Sequence, residues 1–226
     1  MEEPILTTSI DKSLKQELIV DLYNSGAIKF GSFTLKSGKQ SPYYIQLREL
    51  SSYDNGVGRK ILTKIGSVMG QLIFKTIPDV DRIVGIAYAG IPLAIAITME
   101  TGISSCYTRK EVKSHGISRL IEGQMKQDDL IVLIDDLITT GESKLEARAA
   151  ILTECEARGI TVQIRGIICL FDREEGGIEF LTKEGLNTNT IFTISEAVHL
   201  LREQNLLPDA KYQAVIDYVN SKNRSS

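Results

Sequence analysis

Cysteine is scarce in this chain: Cys106, Cys155 and Cys169 are the whole supply among 226 residues, an odd number with no Cys-x-x-Cys pair. That argues against a disulfide framework and fits buried thiols in a reducing compartment, so a cytoplasmic address is expected. Histidine is scarcer still. His115 and His199, with three scattered cysteines, make no metal-ligand cluster, and any metal would arrive with a ligand and be held by oxygens. Neither a Walker-type phosphate loop nor Gly-x-Gly-x-x-Gly occurs, which weighs against nucleoside triphosphatases and dinucleotide-binding enzymes. The longest uncharged stretch, between Arg82 and Glu100, is interrupted by Gly85, Gly90 and Pro92 and is short for a membrane span. Met1-Glu2-Glu3-Pro4 offers no basic region before an apolar run, so no signal peptide is expected. Positive charge is not in excess either. With 26 lysines and arginines against 29 acids the net charge is −3, which suggests no general affinity for nucleic acid or anionic membrane.

What remains is an ordinary globular composition, 42% hydrophobic and 24% charged, long enough for one sizeable core. Leu14, Leu18 and Leu22 recur every four residues and stop at Gly26, the pattern of an amphipathic helix closed by glycine. Phe30 to Gln46 mixes aromatic, basic and glycine residues without helical period and reads as two short strands about a turn at Ser37 and Gly38. Ile61, Ile65, Val68 and Leu72 mark a second helix, Arg82 to Ala87 a buried strand, and Gly90 with Pro92 the start of another helix. Leu130 to Ile134 is an unbroken run of branched residues, as in a parallel strand covered on both faces. Helix spacing resumes at Leu145, Ala149, Leu152 and Cys155 and ends at Gly159. Thr161 to Phe171 and Thr190 to Thr193 read as strands, and Ser195 and Asp209 as caps of two C-terminal helices. Strands alternating with helices imply an α/β fold with a mostly parallel central sheet, and no repeat or long linker divides the chain.

Asp135-Asp136-Leu137-Ile138-Thr139-Thr140-Gly141-Glu142-Ser143 follows the apolar strand and precedes a helix. In open α/β sheets ligands bind beyond the carboxyl ends of the strands. Two adjacent carboxylates can accept the paired hydroxyls of a ribose, and Thr139, Thr140, Gly141 and Ser143 offer hydroxyls and amides at a helix N-terminus, where a phosphate is favoured. A second feature is the stretch from Arg109 to Lys126. Arg109, Lys110, Lys113, Arg119 and Lys126 face only Glu111 and Glu122, a local charge of +3 in an acidic chain, as in an exposed loop that meets an anion. His115 within it could donate to phosphate when charged.

Leu130 to Ser143 resembles the phosphoribosyl pyrophosphate signature of type I phosphoribosyltransferases. Within that group, Phe30-Gly-Ser-Phe-Thr-Leu-Lys-Ser-Gly-Lys-Gln-Ser-Pro-Tyr-Tyr, Arg109-Lys-Glu-Val-Lys-Ser-His-Gly and Asp172-Arg-Glu-Glu-Gly-Gly resemble the orotate phosphoribosyltransferase family, in the family's order and over most of the chain. The resemblance implies a type I phosphoribosyltransferase fold over residues 1–226, with a small N-terminal hood to about residue 55 and an α/β core with C-terminal helices beyond. It also implies transfer of a phosphoribosyl group to orotate in pyrimidine nucleotide biosynthesis, with Mg²⁺ held mainly by substrate oxygens.

By the same resemblance, Asp135 and Asp136 would hold the ribose hydroxyls, and the backbone and hydroxyls from Leu137 and Ile138 through Thr139, Thr140, Gly141, Glu142 and Ser143 would cradle the 5-phosphate. Arg109, Lys110, Lys113 and His115 would belong to a loop that closes on pyrophosphate, serving the neighbouring subunit of a homodimer; Arg109, Lys113 and His115 would join the two acids in catalysis. Lys36 would approach both substrates, Tyr44, Ile45 and Thr139 would line the base pocket, and Arg173 would pair with the orotate carboxylate. Two departures stand out. Many members have lysine after the tyrosine of the pyrophosphate turn, where this chain has Tyr88-Ala89, so backbone amides would serve there. Ile117-Ser118-Arg119-Leu120 resembles the branch found fused to orotidylate decarboxylase, although 226 residues leave no room for that domain and a free-standing form is expected. The rival readings are a phosphoribosyltransferase for another base, against which Lys36 and Arg173 argue, and a non-catalytic regulator that binds phosphoribosyl pyrophosphate.

Overall fold

The computed structural model describes residues 10–35, 38–110 and 120–223. The first expected helix is α1, Lys12–Asn24. The Asp11 carboxylate caps it, accepting from the N–H groups of Ser13 and Leu14 at 2.9 and 3.1 Å, and its Leu18, Ile19 and Leu22 are buried. The alternating segment that follows forms an antiparallel ribbon of β1 (Ile28–Thr34) and β2 (Gln40–Ile45), with a bulge between Phe30 and Phe33. A single 3₁₀ turn, Leu50–Ser52, leads into α2 (Val57–Thr76), which buries Ile61, Ile65, Val68 and Leu72 as their spacing predicts.

From there strands and helices are interleaved along the chain. They are β3 (Arg82–Gly85), α3 (Gly90–Thr101), β4 (Ser104–Thr108), β5 (Ile121–Glu122), β6 (Leu130–Ile138), α4 (Glu142–Ala157), β7 (Gln163–Asp172), α5 (Gly177–Lys183), β8 (Thr188–Thr193), α6 (Ile194–Glu203) and α7 (Asp209–Asn223). The six strands after the ribbon lie in the order β5-β4-β3-β6-β7-β8, all parallel except β5, which runs antiparallel to β4. The chain therefore moves outward from β3 to β4, returns to lay β6 on the other side of β3, and moves outward again through β7 and β8. The sheet's switch point lies between β3 and β6, and the loops leaving those two strands straddle a crevice.

Successive residues of β6 serve opposite faces. Val132 and Ile134 join a core with Leu18 of α1, Ile61 of α2, Leu93 of α3, Val198 of α6 and Val215 of α7, while Ile131 and Leu133 join one with Ile151 of α4 and Leu181 of α5. Each such side chain taken out of water stabilises the fold by about 1.5–3 kcal/mol, which is why this strand is apolar throughout rather than alternating. Phe30 and Tyr43 of the ribbon share the first core, so the N-terminal segment packs on the same apolar mass as the sheet. The three cysteines are unpaired and buried.

The structure corrects several boundaries. The strand expected from Thr161 starts at Gln163. The cap of α6 is Thr193, whose hydroxyl accepts from Glu196 N–H at 3.1 Å; Ser195 lies inside the helix and gives its N–H to Glu174 at 2.7 Å. Asp209 is the first residue of α7 and pairs with Arg202 at 2.8 Å. The basic stretch after Arg109 is not a loop throughout, because Ile121–Glu122 pairs with Tyr107 and Thr108. Truncating Leu133, fully buried between β6 and α4, should cost about 2–5 kcal/mol; denaturant unfolding of Leu133→Ala checks this, and a loss below about 1 kcal/mol would mean that this face repacks.

Candidate active site

β6 does not stop at Ile134. It continues to Ile138 and pairs Asp135 with Cys169 and Ile138 with Asp172 of β7, so both acids sit on the strand's last turn and are held by the sheet ladder. Asp135 is buried, 6% exposed, and each of its oxygens is engaged: Oδ1 accepts the Asp136 N–H at 2.8 Å and Oδ2 accepts Lys144 Nζ. Asp136 is half-buried. Burial pushes its carboxyl up to about 7 and the neighbouring Asp135 adds to the rise, while Lys144 and Arg48 pull the other way. For Lys144, burial is the largest influence and would lower the pKa, but Asp135 and the other groups around it together hold the ammonium above the ordinary lysine value.

Helix α4 starts directly beyond these acids. Its cap, Gly141, has φ +90°, and a Cβ there would stand 2.9 Å from Leu181 and 3.1 Å from the Gly177 carbonyl oxygen, so only glycine allows the turn. The first amides of a helix have no intrahelical acceptor, so this end of α4 has the chemistry to receive an anion. Thr140, Glu142 and Ser143 are exposed beside it and Thr139 is half-buried. Leu137 packs against the first core and Ile138 lies fully inside the second, so these two contribute backbone rather than side chains.

The opposite wall is the turn after β3. Ile86 N–H bonds the Ile134 carbonyl at 2.9 Å, Ala87 N–H bonds Thr108 Oγ1 at 3.0 Å, and the Ala87–Tyr88 peptide is cis. A Cβ on Gly90 would fall 2.2 Å from the Ile134 carbonyl oxygen, so glycine lets α3 begin against β6. Between the walls lies a cavity of about 440 Å³ lined by Tyr88, Ala89, Arg109, Lys110, Asp135, Asp136 and Ser143, all singled out in the sequence, and also by Arg48 and Lys144, which were not. Arg109 is tied to Glu122 at 2.7 Å and Lys110 stands 5.0 Å from the centre of the exposed Tyr88 ring. Lys36, Lys113 and His115 lie outside the described residues. One signal pointed to Lys144: it shares the buried stripe of α4 with Ile151 and Cys155, and a cation on a core-facing stripe calls for a partner. Nothing in the sequence pattern distinguished Arg48.

Arg173 follows β7 at the same edge of the sheet, its N–H bonded to the Ile138 carbonyl at 3.0 Å. Its Nε donates to the Tyr43 hydroxyl at 3.1 Å and its guanidinium lies 5.1 Å from the Tyr43 ring centre. Glu175 is 3.1 Å away as an ion pair without hydrogen-bond geometry, and one terminal guanidinium nitrogen is buried with no partner among the described residues. Tyr43, which the sequence reading did not single out, is thus the tyrosine that meets Arg173. Burial pushes the Tyr43 hydroxyl up to about 12, so it stays protonated, while Tyr44 is 39% exposed on the other side of β2 and Ile45 is half-buried.

No family model matches the chain. It is similar to the orotate phosphoribosyltransferase of Staphylothermus marinus, with 33% identity over 214 residues that span 95% of this chain and 98% of that one. It is also similar to the bifunctional enzyme PyrF/PyrE of Nostoc sp., 31% identical over 88% of this chain, although the chain spans only 39% of that relative's length. Among solved structures, the UMP synthase of Leishmania donovani matches with a TM-score of 0.75 and 33% identity over 93% of this chain and 43% of that one. The architecture is that of the type I phosphoribosyltransferases, and a likeness at this level over nearly the full length of both chains means that the chain belongs to the orotate phosphoribosyltransferase family.

Proposed function

We propose that the crevice between β3 and β6 transfers the phosphoribosyl group of phosphoribosyl pyrophosphate to orotate, giving orotidine 5′-phosphate and pyrophosphate in pyrimidine nucleotide biosynthesis. The observation that carries this reading is the acid pair Asp135 and Asp136 running directly into the glycine-capped N-terminus of α4 at the switch point of the sheet. The ribose hydroxyls donate to the two carboxylates, and the 5-phosphate sits on the amides and hydroxyls from Thr139 to Ser143. The diphosphate lies toward Tyr88 to Gly90, with Arg109 and Lys110 as cations. In the reaction the bond from the anomeric carbon to the diphosphate oxygen breaks, the electron pair leaves with pyrophosphate, and a ring nitrogen of orotate bonds to that carbon and gives up its proton. The anomeric carbon gains oxocarbenium character as charge gathers on the leaving group. The protein's part is to hold the reactants in line and to present fixed donors and cations to that charge.

The residues fit magnesium as a companion of the substrate. Mg²⁺ keeps several waters and binds phosphate oxygens rather than an all-protein cage, so it would come with the diphosphate. When bound it would neutralise diphosphate oxygens, a task for which this chain's own residues supply Arg109 and Lys110. The orotate carboxylate goes to Arg173, whose buried terminal nitrogen is a donor still open for a planar, two-oxygen acceptor. Arg173 follows β7, the neighbour of β6, so base and sugar are served by adjacent strands.

A homodimer is supported by α3, which leaves Ile95 49% and Met99 80% exposed one turn apart, with Tyr107 of the adjoining β4 also exposed. A second copy covering that face would lie beside the segment that starts at Arg109, so the segment could serve the partner's crevice. No helix among the described residues is long and apolar enough to cross a membrane, and the unpaired buried cysteines support a cytoplasmic address.

Orotate-dependent release of pyrophosphate from phosphoribosyl pyrophosphate tests the function; release with adenine or uracil in place of orotate, and not with orotate, would sink it. Arg173→Ala should lower kcat/KM for orotate by roughly two to three orders of magnitude, the scale of about 3–4 kcal/mol for a lost charged hydrogen-bonding pair, while the KM for phosphoribosyl pyrophosphate changes little. Equal damage to both substrates with a fall in melting temperature would instead make Arg173 a structural partner of Glu175. Met99→Asp should turn a dimer into a monomer in sedimentation. Asp136 supplies a further prediction. Its folded pKa is raised, so ionising it costs stability above the ordinary carboxylate range and most fully above about pH 7. Asp136→Asn should therefore raise the melting temperature more at pH 8 than at pH 5 while weakening phosphoribosyl pyrophosphate binding; a uniform loss of stability at both pH values would contradict the assignment.

A further inference from the structure

Two acid–cation pairs are buried among the described residues, and they occupy opposite ends of the same strands. Arg82 and Asp129, 2.7 Å apart, stand where β3 and β6 begin, and Asp129 also takes the Lys126 N–H, so that pair ties a turn to the sheet. Lys144 and Asp135 stand at the carboxyl end, in the wall of the crevice. Lys144 is 8% exposed and is the only lysine among the buried residues described. Burying an ammonium is costly, and a buried ion pair is seldom more stabilising than well-packed apolar side chains of similar volume, so stability alone is a poor reason for a lysine here.

The neighbourhood supplies another reason. Asp136 lies beside Asp135 and has to carry charge in surroundings that disfavour it. The groups facing this cluster are Asp135 and Asp136 on β6, Lys144 on α4, Cys169 on β7 and Arg48 after β2, with Arg109 and Lys110 after β4 and Glu146 on α4 lining the same cavity. Cys169 is fully buried and its thiol is pushed well up by burial, so it stays neutral. Lys144 is therefore the buried positive charge of the cluster; Arg48 acts from the exposed side.

Resting on the phosphoribosyl transfer reading, we propose that Lys144 is a positioning residue of the sugar-phosphate site: its ammonium pins the Asp135 carboxylate and balances the charge of the adjacent acids, so that both receive the ribose hydroxyls as carboxylates. It acts through Asp135 and Asp136 rather than by touching the reacting atoms. Without it Asp136 takes up a proton more readily, and a protonated acid is a poorer acceptor for a sugar hydroxyl.

The test is the pH dependence of kcat/KM for phosphoribosyl pyrophosphate, with melting curves, in wild type, Lys144→Met and Lys144→Arg. Methionine keeps an unbranched side chain of similar length without the charge, and arginine keeps the charge. The expected result is that the acid limb of Lys144→Met moves up by about one pH unit or more. Below the limb kcat/KM would then fall on the order of tenfold, with the KM for orotate nearly unchanged and the limb of Lys144→Arg close to wild type. Should Lys144→Met fail to fold, Lys144→Gln, which keeps a donor to Asp135 but no charge, is held to the same shift. An unmoved limb in the neutral variants, or a loss that merely follows melting temperature, overturns the proposal. Wild type that binds no phosphoribosyl pyrophosphate in calorimetry removes the underlying reading as well, whereas wild type that binds it beside variants with an unmoved limb removes only the role of Lys144.

Discussion

Asp135 and Asp136 stand side by side at the end of a strand whose preceding residues, Ile131 to Ile134, are wholly buried. Two carboxylates placed there lose water and repel each other, and the structure around the crevice is arranged around that cost. The ladder to β7 fixes the backbone that carries them, the Asp136 N–H closes onto Asp135, and Lys144 reaches the pair from the first turn of α4. For Lys144 to arrive there, α4 has to begin within a few residues of the acids. That in turn demands the left-handed glycine at 141, pressed against Leu181 and Gly177. The same short turn brings the N-terminus of α4, whose first amides have no intrahelical acceptor, close to the acids.

The charges in the wall of the crevice are segregated, with Asp135 and Asp136 on β6 and the cations Arg109 and Lys110 across the cavity from them. Arg109 and Lys110 come from the far side of β3, and the turn after β3 contributes Ala89, whose small buried side chain leaves backbone rather than a cation at that point. Arg173 follows β7, the strand beside β6, and neighbouring strands lie about 5 Å apart in a sheet. Its guanidinium is braced by Tyr43 and Glu175, yet one terminal nitrogen has no hydrogen-bond partner among the described residues.

Much of this was legible in the residues. Leu130 to Ile134 could only be a buried strand, the leucines of α1 and the isoleucines of α2 set out their helices, and Asp135 to Ser143 marked the junction between β6 and α4. What escaped was fixed by tertiary contacts. β4 is Ser-Ser-Cys-Tyr-Thr, too polar to announce itself, and β5 has two residues, held by β4 and by Glu154, which takes the N–H groups of Leu120 and Ile121. α5 is seven residues long, with Gly177 and Leu181 as its buried residues. Tyr43 and Tyr44 are alike in sequence, and only the phase of β2 decides which turns inward toward Arg173. Arg48 and Lys144 come to the acids from segments far away along the chain or on a helix face, and a motif read along one strand contains neither.

The most direct test is a crystal structure of the protein with phosphoribosyl pyrophosphate and magnesium. The ribose hydroxyls should lie within hydrogen-bond distance of Asp135 and Asp136, with the 5-phosphate on the amides between Thr139 and Ser143 and the diphosphate toward Tyr88. A sugar phosphate bound elsewhere, or bound here with its diphosphate on the α4 amides and its ribose away from the two acids, would contradict the assignment of this crevice.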